Sequence, residues 1–182
     1  MVRSFKAAAP WLASLVFLSA GCGYTTKSLL PENIKTVYIA PVKNVINLAG
    51  EISTKERFRT YRPGLEDALT NAVINRFVFD GNLKVVSPEK ADVILETKLL
   101  EYRRDALRYS NNDDIQEYRV SIVLDAVLYE ARGRKTLWHE QTLTGDTTFF
   151  LSGSRAVTED EAVEKAVEDV ARRIVENTVG LW

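Results

Sequence analysis

Glu117–Glu130, EYRVSIVLDAVLYE, alternates with a period of two along its whole length. Tyr118, Val120, Ile122, Leu124, Ala126 and Leu128 share one face, while Arg119, Ser121, Val123, Asp125, Val127 and Tyr129 share the other. Successive side chains of a strand point to opposite faces, so this spacing predicts a long strand with an apolar face against a core and a mixed face half in water. The flanking segments repeat the pattern more weakly. Asp92–Arg103 places Val93, Leu95 and Leu99 together, and Lys135–Thr148 sets Leu137 and Leu143 opposite Trp138. Arg132-Gly133-Arg134 supplies a turn between the last two. Three such segments in a row predict an antiparallel meander.

Before the meander, Lys35–Val42 (KTVYIAPV) alternates as a first strand and ends at Pro41, since proline cannot donate to a sheet ladder. From Lys43 to Tyr61 the pattern is lost, and a loop this long within a compact domain is either mobile or used. Pro63 and Gly64 then open a helix in which Leu65, Leu69, Val73 and Phe77, with Ala68 and Ala72, recur at helical spacing. Asp80-Gly81-Asn82 stops it, Leu83–Ser87 reads as a short strand, and Pro88-Glu89-Lys90 as a turn. The last helix is announced by the capping box Thr158-Glu159-Asp160-Glu161. Its apolar stripe is Ala162, Val163, Ala166, Val167, Val170, Ala171, Ile174 and Val175, and Gly180 ends it. Glu161 to Lys165, Glu168 to Arg172 and Asp169 to Arg173 stand four apart with the acid first, a supporting spacing on a helix. The order predicts an α+β two-layer sandwich: two amphipathic helices on one face of a mixed, mostly antiparallel sheet of about four to five strands.

The first residues set the compartment. Arg3 and Lys6 precede the apolar run Ala7–Leu18 (AAAPWLASLVFL), which is too short for a spanning helix of roughly 20 residues. Small residues Ser19, Ala20 and Gly21 follow, and then Cys22, the single cysteine of the chain. A basic start, a short apolar core and a small-residue cleavage site predict a signal peptide over residues 1–21. Leu18-Ser19-Ala20-Gly21-Cys22 resembles the lipobox of bacterial lipoproteins, with Ser19 at the place usually held by leucine and Leu18 one further back. That resemblance implies acylation of Cys22 and a lipid-anchored domain. Gly23 is not the aspartate that resembles an inner-membrane retention signal, which favours the outer membrane. Gly23–Asn33 is polar and aperiodic, so residues 22–33 form an extended lead and residues 34–182 a single domain.

Lys and Arg number 24 against 25 Asp and Glu, a formal net charge of −1, with hydrophobic residues at 46%. This is a folded globular composition without the basic surface that nucleic acid requires. The one histidine, His139, sits in a strand; no His or Cys cluster offers a metal site, and no glycine loop is built for phosphate, so neither catalysis nor a cofactor is expected.

In an antiparallel meander the turn after the first strand and the exit of the third lie at one end of the sheet. The loop Arg103–Gln116 and the loop Leu151–Val157 should therefore be neighbours. The first carries Arg103, Arg104, Arg108 and Tyr109; the second carries Arg155 after Phe149 and Phe150. Arginines beside aromatics at one end suit an anionic, partly apolar ligand. Asp105, Asp113 and Asp114 offset those charges locally.

Taken together, Cys22-Gly23-Tyr24, Ser28-Leu29-Leu30-Pro31, Ile34-Lys35-Thr36-Val37-Tyr38-Ile39, Pro63-Gly64-Leu65-Glu66, Leu69-Thr70 and Asp80-Gly81 resemble the LptE family of lipopolysaccharide-assembly lipoproteins. Glu117-Tyr118-Arg119-Val120, Leu137-Trp138 and Leu143-Thr144-Gly145 are similar to the same family, as is the terminal helix. The resemblance implies a non-enzymatic lipoprotein on the inner leaflet of the outer membrane. Such a protein plugs the LptD β-barrel, helps it assemble and binds lipopolysaccharide. It also implies lipopolysaccharide contact through basic residues in the meander loop and before the last helix, matched here by Arg108 and Arg155. Two other classes remain: an envelope adaptor that activates a cell-wall synthase, and a small envelope enzyme.

Overall fold

The computed structural model describes residues 33–47, 57–59 and 61–180. The leader, Cys22 and the lead as far as residue 32 lie outside the described residues, as do Leu181 and Trp182. The elements are β1 (Thr36–Ile39), β2 (Lys43–Asn44), β3 (Arg57–Arg59), α1 (Leu65–Asp80), β4 (Lys84–Val85), β5 (Val93–Tyr109), β6 (Ile115–Glu130), β7 (Thr136–Phe150) and α2 (Glu159–Gly180). A single 3-10 turn, Pro88–Lys90, joins β4 to β5.

The long strands β5, β6 and β7 form the antiparallel meander, and the sheet order is β4-β1-β5-β6-β7. β1 pairs in parallel with both β4 and β5, which makes the sheet mixed. The stretch read as a loop after Pro41 is not free of structure. β2 pairs with Lys98 and Leu99 and β3 with Arg103–Asp105, so β1, β2 and β3 lie in succession along one edge of β5. A three-residue or two-residue strand has no detectable period, which is why the pattern disappeared there.

Both helices pack on the same face. Leu65, Leu69, Val73 and Phe77 of α1 are buried, as are all eight apolar positions of the α2 stripe. They meet Tyr118, Val120, Ile122, Leu124, Ala126 and Leu128 of β6, also buried, in one continuous core. Complete burial of a leucine or isoleucine contributes about 1.5–3 kcal/mol, so this row of β6, together with the β7 strand under α2, holds the layer of helices on the sheet. Ala72 of α1 packs partly buried against that core, whereas Ala68 is exposed; both line an open groove between the helices.

Bulges correct the sequence reading at two places. Between Leu124↔Leu143 and Ala126↔Glu140, β7 uses one residue more than β6. A bulge inverts the alternation beyond it, so Trp138 and Leu143 share the core face at 8% and 5% exposure rather than opposing each other. In β5 the register shifts after Leu99 and again after Ala106. Strict period-two counting therefore stops near Arg103, whereas the strand continues to Tyr109 and leaves only a tight Ser110–Asp114 turn where a long loop was expected.

Local chemistry fixes the ends of the helices. Pro63 lies ahead of α1, and Gly64 caps it at φ 80°, a left-handed conformation that glycine adopts freely. Gly81, at φ 76°, closes the same helix by donating to the Phe77 carbonyl. At α2 the Thr158 hydroxyl accepts from the Glu161 amide at 3.1 Å. Lower on α2, Arg172 pairs with Asp169 and Glu176, and Arg173 with Asp169. Gly145 on β7 lies directly under α2, and a side chain there would meet the helix backbone.

The parallel pairing of β1 with the start of β5 places the lead end of the domain beside Val93, Glu130 and the 131–135 turn. The hairpin end, around Tyr109, Ile115 and Phe150, is at the other extreme of the sheet. β5 has 17 residues, so the two ends are separated by about 50 Å at ~3.3 Å per residue.

Candidate functional site at the hairpin end

The expected meeting of the two basic segments occurs. Leu151 donates to the Gln116 carbonyl at 3.0 Å, and Val157 donates back to the Phe150 carbonyl at 3.3 Å. Gly153, at φ 86°, lets residues 151–157 fold back over the end of β7. The fold-back carries Arg155 onto Phe150, its guanidinium 4.4 Å from the ring centroid. From β5, Arg108 reaches the same ring at 5.6 Å. Arg108 stands opposite Glu117 in the ladder, and Glu117 stands opposite Phe150. Arg108, Glu117 and Phe150 are thus one cross-strand row on the sheet face away from the helices.

Charge in this row is only partly balanced. Arg108 Nε lies 3.3 Å from Glu117 Oε2, while Arg155 has no ion pair among the described residues. The surroundings are apolar: Leu107, Tyr109 and Leu151 are exposed at 41%, 44% and 50%. Leu107 is the extra residue of the β5 bulge between Ala106 and Arg108. Two guanidinium groups clamped on one ring, rimmed by exposed hydrocarbon, can bind a group that is both anionic and greasy; each planar fork can take two phosphate oxygens.

Arg103 and Arg104 are in β5 rather than in a loop, and alternation sends them to opposite faces. Arg103 is on the open face between Glu101 and Asp105, with its Nε 3.0 Å from Asp105. Arg104 faces the helices, 4.6 Å above the Tyr118 ring and paired with Glu159 at the start of α2. Tyr118 in turn stacks on Phe149 at 5.7 Å. The Tyr102 hydroxyl donates to the other oxygen of Glu159 at 2.6 Å. Burial, and then the adjacent Glu159 carboxylate, push the Tyr102 phenol well above its ordinary range. Next to this cluster Arg62 pairs with Asp160. The α2 N-terminus is thereby tied to the hairpin end by charge and hydrogen bonds, and the Arg108–Phe150–Arg155 row sits on a rigid base.

The rest of the open face carries the ion pairs of Arg119 with Asp146, Lys98 with Asp125 and Arg134 with Glu96, and His139 hydrogen-bonds Asp125. His139 Nε2 lies 2.6 Å from Asp125 Oδ1. Burial pushes the Asp125 carboxyl up, but hydrogen bonds from His139 and Lys98 outweigh it and hold the group below the usual range. Among the described residues no group of three His, Cys, Asp or Glu is placed to hold a metal ion. No described helix is long and apolar enough to cross a membrane. Sequence reading named Arg108, Arg155 and the neighbouring phenylalanines; it missed Glu117 as the counter-ion, which the β5 bulge brings opposite Arg108, and Glu159 as the tie, which depends on how α2 docks over β5.

A family model described as LptE, lipopolysaccharide-assembly, matches residues 34–178, almost the whole described domain. The chain belongs to the LptE family. Solved structures with the same fold include lipoprotein B from Nitrosomonas europaea, at 18% identity over 84% of this chain and 85% of that one, with a TM-score of 0.51. A minor lipoprotein from Acinetobacter baumannii is similar at 14% identity over 81% and 94%, with a TM-score of 0.49. Rare lipoprotein B from Shewanella oneidensis is similar at 13% over 79% and 95%, with a TM-score of 0.45. At such identities the Nitrosomonas likeness speaks for the fold of this LptE-family domain alone. Among curated proteins none matches the sequence.

Proposed function

We propose that this LptE-family protein is a non-enzymatic outer-membrane lipoprotein of the lipopolysaccharide export machinery. Residues 1–21 are its signal peptide, Cys22 carries the lipid, residues 22–33 are the lead, and residues 34–182 form the domain. It occupies and helps assemble an LptD-like β-barrel and binds lipopolysaccharide on the way to the cell surface, without a cofactor. The observation that carries this reading is the family match across the domain. Support from the geometry is the exposed Arg108–Phe150–Arg155 row, which suits a phosphorylated, acylated glycolipid. Arg103 and Arg104 join the ligand set only by leaving Glu101, Asp105 and Glu159.

The separation of the two ends supports the same reading. Cys22 is eleven residues from Asn33, a reach of at most about 40 Å. The lead end is therefore the one held near the lipid, and the hairpin end projects about 50 Å beyond it. A domain standing this way delivers its basic end into the lumen of a barrel rather than onto the leaflet that anchors it. The test is affinity capture of the acylated protein from detergent-solubilised outer membrane, followed by mass spectrometry. A stoichiometric large β-barrel is the expected companion. A cell-wall synthase in its place would leave the envelope-adaptor reading standing.

A further inference from the structure

The lead end displays an apolar feature that ligand binding at the hairpin end does not use. Val78 and Phe79, in the last turn of α1, are 66% and 81% exposed, whereas Phe77 beside them is fully buried. The Arg76 guanidinium lies 5.4 Å from the Phe79 ring centroid, so the aromatic is paired with a cation at the surface. α1 closes at Gly81, and the Lys84 amide donates to the Lys35 carbonyl at 3.0 Å. The exposed pair is therefore only a few residues from the point at which the lead joins the domain.

The same end is rich in exposed cations. Lys35, Lys84, Lys90, Arg132 and Lys135 are exposed there, against the acids Asp80, Glu89, Asp92 and Glu130, and Glu168 of α2 lines the same groove as Arg76 and Phe79. Asp92 is already engaged by the Lys35 and Thr36 amides and the Thr36 hydroxyl. Exposed phenylalanine and aliphatic side chains bury at the boundary between headgroups and acyl chains, and basic residues are drawn to anionic headgroups. A patch with both, tethered within about 40 Å of an acylated cysteine, meets the lipid surface at a high effective concentration. We propose that Val78 and Phe79, with Arg76 beside them and the exposed cations of the same end of the sheet, insert into the headgroup layer of the anionic bilayer that holds the anchor. The patch is thus a second membrane contact, which orients the domain on its tether. This rests on the acylation of Cys22 in the reading above.

The test uses the full acylated chain carrying Phe79→Cys. Acylation consumes the Cys22 sulfur, so position 79 offers the free thiol for an environment-sensitive fluorophore. The protein is reconstituted at a low protein-to-lipid ratio in phosphatidylethanolamine–phosphatidylglycerol vesicles with brominated acyl chains. The expected result is loss of most of the fluorescence to the brominated lipid and protection from aqueous iodide, with the reverse for a Leu151→Cys probe at the hairpin end. Val78→Cys should behave like Phe79→Cys. Iodide quenching at position 79 in protein that floats with the vesicles would overturn the proposal. So would shielding from both quenchers, which would mark a protein neighbour such as a second copy. A chain that neither floats nor carries acyl mass on its Cys22 peptide would remove both this proposal and the acylation reading, and that failure is distinct from the other two.

Discussion

Replacing Gly145 by alanine should destabilise the domain, although the substitution ordinarily helps a strand. A Cβ built on Gly145 lies 2.6 Å from Val170 Cβ, 2.7 Å from the Ala166 carbonyl oxygen and 2.7 Å from the Val170 amide nitrogen. Ordinary contact begins at 3.4 Å, and two of the three atoms are backbone, so no rotamer change can relieve the clash. α2 must retreat from β7 by the better part of an ångström. That movement strains the ties of Glu159 to Tyr102 and Arg104 at the other end of the helix. Removing a strand glycine gains about 0.5–1 kcal/mol. Overpacking costs about 1–3 kcal/mol, and with two immovable backbone atoms inside 3.0 Å the cost falls near the upper part, about 2–3 kcal/mol, so the net loss should be about 1–2 kcal/mol. For a domain of this size that lowers Tm by about 4 °C. Urea unfolding followed by near-ultraviolet circular dichroism measures it, with an unchanged slope and a lower midpoint. Val170→Ala should not rescue the variant, because alanine keeps the Cβ and the backbone stays in place. A Gly145→Ala protein as stable as the parent would refute the close approach of α2 to β7.

Removing the Thr158 cap with Thr158→Ala should cost about 1 kcal/mol, read as a lower urea midpoint. Asp92 accepts from the Lys35 amide, which is the leading cause of its lowered pKa, and from the amide and hydroxyl of Thr36. A carboxyl held below its unfolded value contributes stability above about pH 4 and loses it as pH falls through the folded value. Asp92→Asn should therefore lower Tm near neutrality and flatten its decline in acid, as a Tm series against pH would show. Tyr102 is shifted the other way, by burial and then by Glu159, so its contribution is intact below about pH 10 and lost as pH rises beyond it. Tyr129 is raised in the same direction by burial and Glu96, so an ultraviolet phenolate titration should find a late-ionising phase that Tyr102→Phe diminishes; ordinary titration of every tyrosine in the folded state would contradict it.

How much could be read in advance depended on the length of each periodic run. The β6 row from Tyr118 to Leu128 is long enough to specify a strand, its buried face and hence the layer of helices. The α1 and α2 stripes likewise named their core-facing residues correctly, apart from the exposed Ala68. Legibility failed where a backbone irregularity carries no compositional mark. The extra residue in β7 brought Trp138 to the core face, and the β5 bulges extended that strand past Arg103. β2 and β3 were invisible because so few residues hold them, and their pairing is decided by the edge of β5 they meet. At the candidate site, chain topology alone was enough to bring Arg108 near Arg155. That both arginines share the Phe150 ring, while Arg104 is drawn inward to Glu159, follows from register and could not be counted from the sequence.

The most direct measurement is the affinity of the acylated protein for purified lipopolysaccharide, compared between the parent and the Arg108→Ala/Arg155→Ala double variant. A hydrogen bond to a charged group contributes about 1.5–3 kcal/mol, so loss of both guanidinium groups should weaken binding by at least tenfold. Midpoints in urea should fall only slightly, because Arg108 is mostly exposed and Arg155 lies in a surface loop. Adding Glu117→Gln to the double variant removes the carboxylate that Arg108→Ala leaves unpaired. Binding weakened in this way, with the fold intact, is the result the account predicts. Undiminished affinity in the double variant would contradict it and move the ligand away from the hairpin end.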